Sequence, residues 1–494
     1  MNASTVRDAQ LESEVDASLN RALASIVGAN FVRSGFAERL AYARDRTPFA
    51  TFHFRAGKLP GTMPRSIVMP GSHDEVARIV ALAQARNVPV IPFGAGSGVL
   101  GGALPLGHEV MIDLKRLNRL VEINETDGTA TVEAGLNGGQ FEAALNARGF
   151  TCGHLPQSLH MSTVGGWASC RGAGQNSTRY GKIEDIVLGL RMVLPDGRTL
   201  DVRPVARRAV GPSIRDLFVG AEGTFGIITQ LTFRIWRKPE REIGTVLAFP
   251  TLEAALTSAR QIMQAELRPA VVRVYDAEES RSRTEGMKEF QDRPILGILV
   301  FSGSARLASV ESELALEIAR KNGAVLASDE PLLHWQKNRF VSYSMPWQTK
   351  NYYMDTIEVT GAWSQILAMY QRMGEAARAV HPGIHFGAHW SHVYAEGACQ
   401  YMTVRLPPMD DDKALFLHAQ AWDRISRICL ELGGSISHHH GVGAFRNPWI
   451  GAELNTGLDV LQALKDVIDP NNIMNPGKLA LRPRPGAVTL ERKG

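Results

Sequence analysis

The sequence predicts an α+β chain in two main parts, a glycine-punctuated first domain and then an α/β domain built on antiparallel strands. Three observations predict it. A glycine-rich loop over 94–102 lies between two strand-like runs, Val88–Phe93 and Val110–Leu114, rather than at the start of a helix. Two further glycine-dense stretches follow, over 153–187 and 218–229. From about residue 243 the glycines thin, and helical runs at Leu252–Gln264, Ala308–Lys321 and Trp363–Val380 alternate with strands such as Ile295–Phe301.

Taken in order, residues 1 to about 45 read as a polar helical arm with Leu19, Leu23, Ile26 and Val27 as its apolar stripe. Ser72 and Glu75 form a capping box that opens a helix with Val76, Ile79, Val80 and Ala83 on one face. The loop after Pro92 then runs Gly94, Ala95, Gly96, Ser97, Gly98, and its letters contain GxGxxG. A dinucleotide fingerprint must open a helix, yet Pro105 and Gly107 follow. A Walker A loop must end in Gly-Lys-Ser/Thr, which is absent. A backbone cradle for phosphate and a plain glycine-rich turn stay level on this evidence. Beyond it come a strand at Ala130–Gly135, a helix at Gly138–Arg148, and a hairpin turn at Pro195–Arg198. The chain closes on a helix stop and turn at Asp469–Lys478.

The bulk properties narrow the function. A length of 494 residues supports two or more cores, and a net charge of +4 gives no footprint for nucleic acid or an anionic membrane. Cys152, Cys170, Cys399 and Cys429 show neither CxxC nor zinc spacing, and read as buried thiols in a reducing compartment. The first residues lack the pattern of a signal peptide, and no run approaches the roughly 18 apolar residues of a membrane span. The expectation is a cytoplasmic protein acting on a small molecule, with a homodimer left open.

Chemistry concentrates late in the chain. Ser437-His438-His439-His440-Gly441-Val442-Gly443 is tightly bracketed by glycine, and adjacent imidazoles can move protons or bind an anion or a metal. His389 and His392 add candidate ligands, but a strand there would turn them to opposite faces, so no metal is expected. Tyr394 could exchange a proton beside them, or be a core tyrosine. Arg273 interrupts an apolar strand and needs a partner, either an anionic ligand or Asp276.

With three glycine segments in this order, including Thr163-Val164-Gly165-Gly166 and Gly220–Thr229, the chain resembles the vanillyl-alcohol oxidase / p-cresol methylhydroxylase superfamily over about residues 60–237. The resemblance implies a two-subdomain FAD-binding domain of PCMH type and a cap domain. The implied division is an arm over 1–55, the FAD domain over 56–240, the cap over 241–435, and a return segment over 436–494 bearing the histidines. It places FAD contacts at Pro92 and Gly94–Gly98 in the first loop. In the second stretch it places them at Pro156, Ser158, Ser162, Thr163, Gly165, Gly166, Gly172 and Tyr180. In the third it places them at Glu222, Gly223, Thr224, Gly226, Ile227 and Ile228. Members with covalent FAD carry a histidine at the first loop, where this chain has Ala95-Gly96-Ser97, so FAD is expected to be non-covalent.

Within the superfamily, the His run, Tyr394 with Glu396–Cys399, Arg273 and Ser162–Trp167 resemble alkylglycerone-phosphate synthase. That resemblance implies Tyr394 as acid/base and His438, His439, His440 and Arg273 around the polar end of the substrate. An arginine that the synthase carries ahead of its Glu-x-x-x-x-Trp segment is missing near Ser344. D-2-hydroxy-acid dehydrogenases are also similar, although their Glu-His-Gly-Ile-Gly and metal motif are replaced here. The expected function is an FAD-dependent oxidoreductase acting on a hydroxyl-bearing carbon. A redox-neutral synthase and a flavin-free binding protein are the alternatives.

Overall fold

The structure is a computed structural model that describes residues 16–48, 57–341, 347 and 349–487. The first sheet contains β1 (Val32–Arg33), β2 (Ser66–Val68), β3 (Val90–Phe93) and β4 (Val110–Asp113) in the order β1-β2-β4-β3. β2, β4 and β3 run parallel and are largely apolar on both sides, as a covered parallel sheet requires. The covering helix, His73–Ala85, starts where Ser72 Oγ accepts from the Glu75 amide at 3.2 Å.

The second sheet has β5 (Leu120–Asn124), β6 (Thr129–Glu133), β8 (Val187–Val193), β9 (Thr199–Val202) and β10 (Ile227–Arg234), ordered β5-β6-β10-β8-β9 and antiparallel throughout. A separate two-strand ribbon pairs β7 (Phe150–Thr151) with β11 (Trp236–Arg237). The third sheet is the largest. It comprises β12 (Arg241–Phe249), β13 (Val271–Tyr275), β14 (Ile295–Gly303), β15 (Val325–Leu326), β16 (Tyr353–Ala362), β17 (His385–Val393) and β18 (Gly397–Leu406). Its order is β15-β12-β14-β13-β17-β18-β16, all antiparallel. The helices Leu252–Gln264, Ala305–Lys321, Trp363–Arg378 and Asp411–Glu431 pack on it around Phe301, Trp390 and Trp422. Mixed α and β elements with an antiparallel cap sheet agree with the expected fold class.

One expectation needs correction. The N-terminal arm is not helical throughout: residues 16–27 form a helix, but Val32 pairs with Val68 and extends the first sheet. Leu19, Leu23 and Val27 then bury against Val76, Ile79 and Val90, so backbone pairing and core packing together fix this segment to the first sheet and its covering helix. Residues 1–15 and 49–55 of that arm lie outside the described residues. Within the second glycine stretch Val164–Ser169 is a short helix capped by Thr163. Gly165 is there for packing, since an added Cβ would stand 2.7 Å from that of Ala134.

Leu23 is 2% exposed. Leu23→Ala should cost about 2–4 kcal/mol of stability by leaving a cavity. The check is the urea midpoint of the full chain, and an unchanged midpoint would mean that this helix does not contribute to the core.

Candidate active site and flavin cradle

The three glycine segments converge. A Cβ on Gly94 would stand 2.4 Å from Thr163 Oγ1, one on Gly223 2.3 Å from Pro92, and one on Gly102 3.0 Å from Glu222 Oε2. Gly96 and Gly223 have φ of 62° and 78°, which non-glycine residues rarely adopt. Among the described residues, the amides from Ala95 to Leu100 donate no hydrogen bond, and a Cβ on Gly98 would meet only open space. A run of unspent backbone donors lining open space is the donor set that a diphosphate requires. The residues present fit the diphosphate of FAD.

The expected cofactor residues divide into those with free groups and those already engaged. Ser162 Oγ accepts from Trp167 Nε1 at 2.7 Å and donates to the Ser158 carbonyl at 2.8 Å. Thr224 Oγ1 donates to the Ala221 carbonyl. Ile227 and Ile228 are buried in β10 and paired with Val193 and Met192, and Gly226 packs on Met192. Tyr180 packs edge-on to Trp236, over Gly153. Pro156 and Gly172 help to carry the backbone of the second stretch, where Leu159 bonds back to the Pro156 carbonyl and Gly172 to that of Trp167. Glu222, expected at the cofactor, has its carboxylate on the His-run segment, accepting from the amides of Val442 at 2.6 Å and Gly443 at 2.8 Å.

The histidines gather where the cap sheet meets the second glycine stretch. Tyr394 Oη lies 2.8 Å from His438 Nε2, and His438 Nδ1 lies 2.9 Å from His439 Nδ1. One nitrogen of each facing pair must donate and the other accept, so neutral rings form a continuous proton path. His392 stacks on His438 at 4.9 Å and bonds Ser177 Oγ through Nδ1 at 2.7 Å. Lys182 Nζ donates to the His438 carbonyl. His440 faces Tyr401 edge-on and does not reach Tyr394. Burial holds His438 and His439 well below the usual imidazole range and lowers His392 to about 3; nearby Lys182 adds to each. Burial likewise pushes Tyr394 up. His392, His438, His439 and Tyr394 are neutral near pH 7.

Two expectations about this cluster are corrected. His389 and His392 do not face opposite ways, because the register of β17 against β18 breaks between Trp390 and Val393. That irregularity cancels the alternation. Trp390 stays in the core while His389 stacks on Tyr401 at 4.8 Å and His392 reaches the His run. Arg273 is not paired with Asp276. It donates to Tyr275 Oη at 2.6 Å, while Asp276 caps the helix Ala277–Arg281 and accepts from Tyr370 and Ala388.

Glu358, Cys399, His438 and His439 bring four potential ligand atoms within 4.8 Å of one another. The carboxylate is already heavily engaged, with one lone pair of Oε2 left over. Its Oε1 accepts from Arg446, Ser437 Oγ and the His440 amide, and its Oε2 from the His438 amide. Sequence reasoning used Glu358 only as a landmark and missed Ser177, Lys182 and Tyr401. A lone acid in the apolar run Ile357–Val359 was the signal for Glu358, whereas the other three have no local signature.

The comparisons can now be placed on this geometry. The FAD binding domain matches residues 64–203 and the C-terminal domain of FAD linked oxidases matches 238–479. The alkyldihydroxyacetonephosphate synthase of Dictyostelium discoideum is 31% identical over 451 residues, covering 84% of this chain and 73% of that one. The chain belongs to the FAD-linked oxidases of the vanillyl-alcohol oxidase / p-cresol methylhydroxylase superfamily. It binds FAD. The glycolate oxidase subunit GlcD of Bacillus subtilis is 27% identical over 466 residues, covering 92% and 95%. A solved alkyldihydroxyacetonephosphate synthase superposes with a TM-score of 0.77 at 26% identity, covering 93% and 84%. Members of this family are enzymes acting on small molecules. Among the described residues no helix is long and apolar enough to cross a membrane.

Glu358 gives a pH test. Burial alone would raise its carboxyl, but Arg446, His440, His438 and the amide outweigh it and hold the group at about 2, below its ordinary 4.5. A depressed carboxyl contributes stability that is complete above about 4.5 and is lost as pH falls toward 2. Glu358→Gln should cost about 3–5 kcal/mol at pH 7 by leaving Arg446 buried and unpaired. The gap between wild type and variant should then narrow from pH 5 to pH 3 in urea titrations. A gap independent of pH would refute the charged pair.

Proposed function

We propose that the protein is an FAD-dependent oxidoreductase that removes a hydride from a carbon bearing a hydroxyl group. FAD, held by the amides of Ala95–Leu100 and by the second and third glycine segments, supplies the hydride acceptor. The carrying observation is the connected Tyr394–His438–His439 path at 2.8 and 2.9 Å, kept neutral by burial.

A substrate hydroxyl placed on Tyr394 can pass its proton to the phenolic oxygen while the Tyr394 proton moves to His438 Nε2. His438 Nδ1 then gives its proton to His439 Nδ1. Each residue gains one proton and loses one until His439, which ends the step as a cation. Burial pushes Tyr394 far from ionising by itself, so the neutral imidazole is the base and the phenol is the relay. Lys182 and Ser177 come from the flavin-binding stretch, which links the proton path to the cofactor side of the site.

A second reading is a redox-neutral exchange at the same residues, favoured by the likeness to alkyldihydroxyacetonephosphate synthases. Ser344 stands where the synthase pattern expects an arginine, and it lies outside the described residues. Without that cation the oxidoreductase reading is preferred.

The test is anaerobic mixing of the yellow protein with secondary alcohols, benzylic alcohols, 2-hydroxy acids and an acyl-dihydroxyacetone phosphate. Lasting bleaching by a hydroxyl compound is the expected result. A flavin perturbed only by the acyl phosphate, and restored by fatty alcohol with release of fatty acid, would decide for the exchange. Tyr394→Phe should retain FAD and slow bleaching by roughly 10²–10⁴-fold, the usual contribution of a proton-transfer group. Unchanged bleaching would remove Tyr394 from the reaction.

A further inference from the structure

The proton path leaves one buried imidazole beside it unused. His392 lies nearly flat against His438, the ring centres 4.9 Å apart and the planes 23° from parallel, yet it passes no proton in the step above. Its Nδ1 stands 2.7 Å from the buried hydroxyl of Ser177, on the helix Ser177–Tyr180. That hydroxyl is also a hydrogen-bond neighbour of the Tyr394 phenol, where it opposes the effect of burial. Ser177 therefore stands between an imidazole of the cap sheet and the phenol that meets the substrate.

Counting donors places the hydrogens. Tyr394 has one proton to give, and the relay commits it to His438 Nε2 at 2.8 Å. Ser177 must then donate to the phenolic oxygen and accept from His392, so Nδ1 of that ring carries the hydrogen. The donors run in one order, from His392 Nδ1 to Ser177 Oγ, to Tyr394 Oη, to His438 Nε2, and from His438 Nδ1 to His439 Nδ1. Burial, with Arg273 and Lys182 adding to it, lowers His392 to about 3. The ring is therefore a neutral donor near pH 7 and does not compete with His438 for the proton.

We propose that Ser177 is a positioning residue for the proton step, donating to the phenolic oxygen of Tyr394 as that oxygen gives up its proton, and that His392 fixes the direction of the donation. A phenol that hands on one proton while taking another passes through partial negative charge. A donor already in place stabilises that charge without reorganisation. Ser177 and His392 each keep their own hydrogen, so the proton still travels from the substrate hydroxyl to His439. Ser177 lies in the flavin-binding stretch and His392 in β17, so the phenol is aligned only where the two segments meet. This inference rests on the reading that Tyr394 relays the substrate proton.

The first arm uses the full-length FAD-loaded protein in its resting oxidised state, with isotope-labelled histidine read by nitrogen NMR. His392→Asn identifies the His392 signals by their loss. The expected ring is neutral with its hydrogen on Nδ1, and Ser177→Ala should move it toward the Nε2–H form. A wild-type His392 with its hydrogen on Nε2, or a ring that Ser177→Ala leaves unchanged, would overturn the proposal. The second arm follows anaerobic bleaching by a hydroxyl compound that reduces the wild-type flavin. Ser177→Ala should slow it by roughly 10–10²-fold, the weight of one hydrogen bond to a charged group, with half-saturating substrate unchanged. Ser177→Thr returns the hydroxyl and should recover most of the rate.

His392→Asn separates donor from base, because its amide can donate to Ser177 but cannot take up a proton. It should recover most of the rate that His392→Leu loses. Equal bleaching in wild type and Ser177→Ala, or an Asn variant as slow as the Leu variant, would sink the donor role. If His392→Leu loses flavin, Ser177→Ala against Ser177→Thr decides. The two readings fail separately, because the NMR arm needs no turnover. An Nδ1–H ring in a protein that no hydroxyl compound bleaches would sink only the hydride reading.

Discussion

The site depends on the buried pair Glu358–Arg446, both fully inaccessible and 2.9 Å apart. Burying two charges costs several kcal/mol per ion unless every lone pair and proton is used. Here nearly all are. Arg446 adds bonds to Ser437 Oγ, the Gly441 carbonyl and the Glu358 carbonyl, while the carboxylate collects the amides at both ends of the His run. The pair therefore fixes the path of a loop that has no regular secondary structure of its own. It sets which imidazole meets Tyr394, because the backbone of His438 and His440 is pinned from β16 while Gly441, at φ 80°, turns the chain back.

Glu222 makes the second connection. It sits at φ 49°, an uncommon conformation for a residue with a side chain, and its carboxylate reaches the amides of Val442 and Gly443. Asn475 ties the Glu222 and Gly102 carbonyls together from the return segment. Segments near 102, 222, 442 and 475 thus meet at one place. The flavin cradle and the histidine loop are braced by the same groups, so a cofactor that orders the first would also hold the second.

How much of this was legible follows from how local each signal is. The helix Leu252–Gln264 and the strand from Ile295 were read correctly because their periodicity is carried by the segment itself. The glycine segments were visible because left-handed backbone and close approach leave a compositional trace, as at Gly223 against Pro92. The facing of His389 and His392 was misread because one irregularity in β17 reverses alternation without any glycine or proline to announce it. Of the two partners open to Arg273, an anionic ligand or Asp276, the second is excluded because Asp276 is committed to a helix N-terminus and to Tyr370 across the sheet. Ser177 had no motif, because its meaning comes only from His392 and Tyr394 around it.

The electrostatics of the cluster then follow from one shortage. Lys182, Arg273 and Arg446 all press on the imidazoles; Arg446 is matched by Glu358 and Lys182 by Glu184 at 3.0 Å, which leaves Arg273 without a carboxylate among the described residues. Surplus positive charge in a buried site has two consequences that reinforce each other. It adds to burial, the larger cause, in holding the histidines neutral, which leaves a free acceptor nitrogen for a proton coming through Tyr394. It also favours a negatively charged guest, whose arrival would raise the basicity of His392, stacked on His438, by offsetting the field of Arg273.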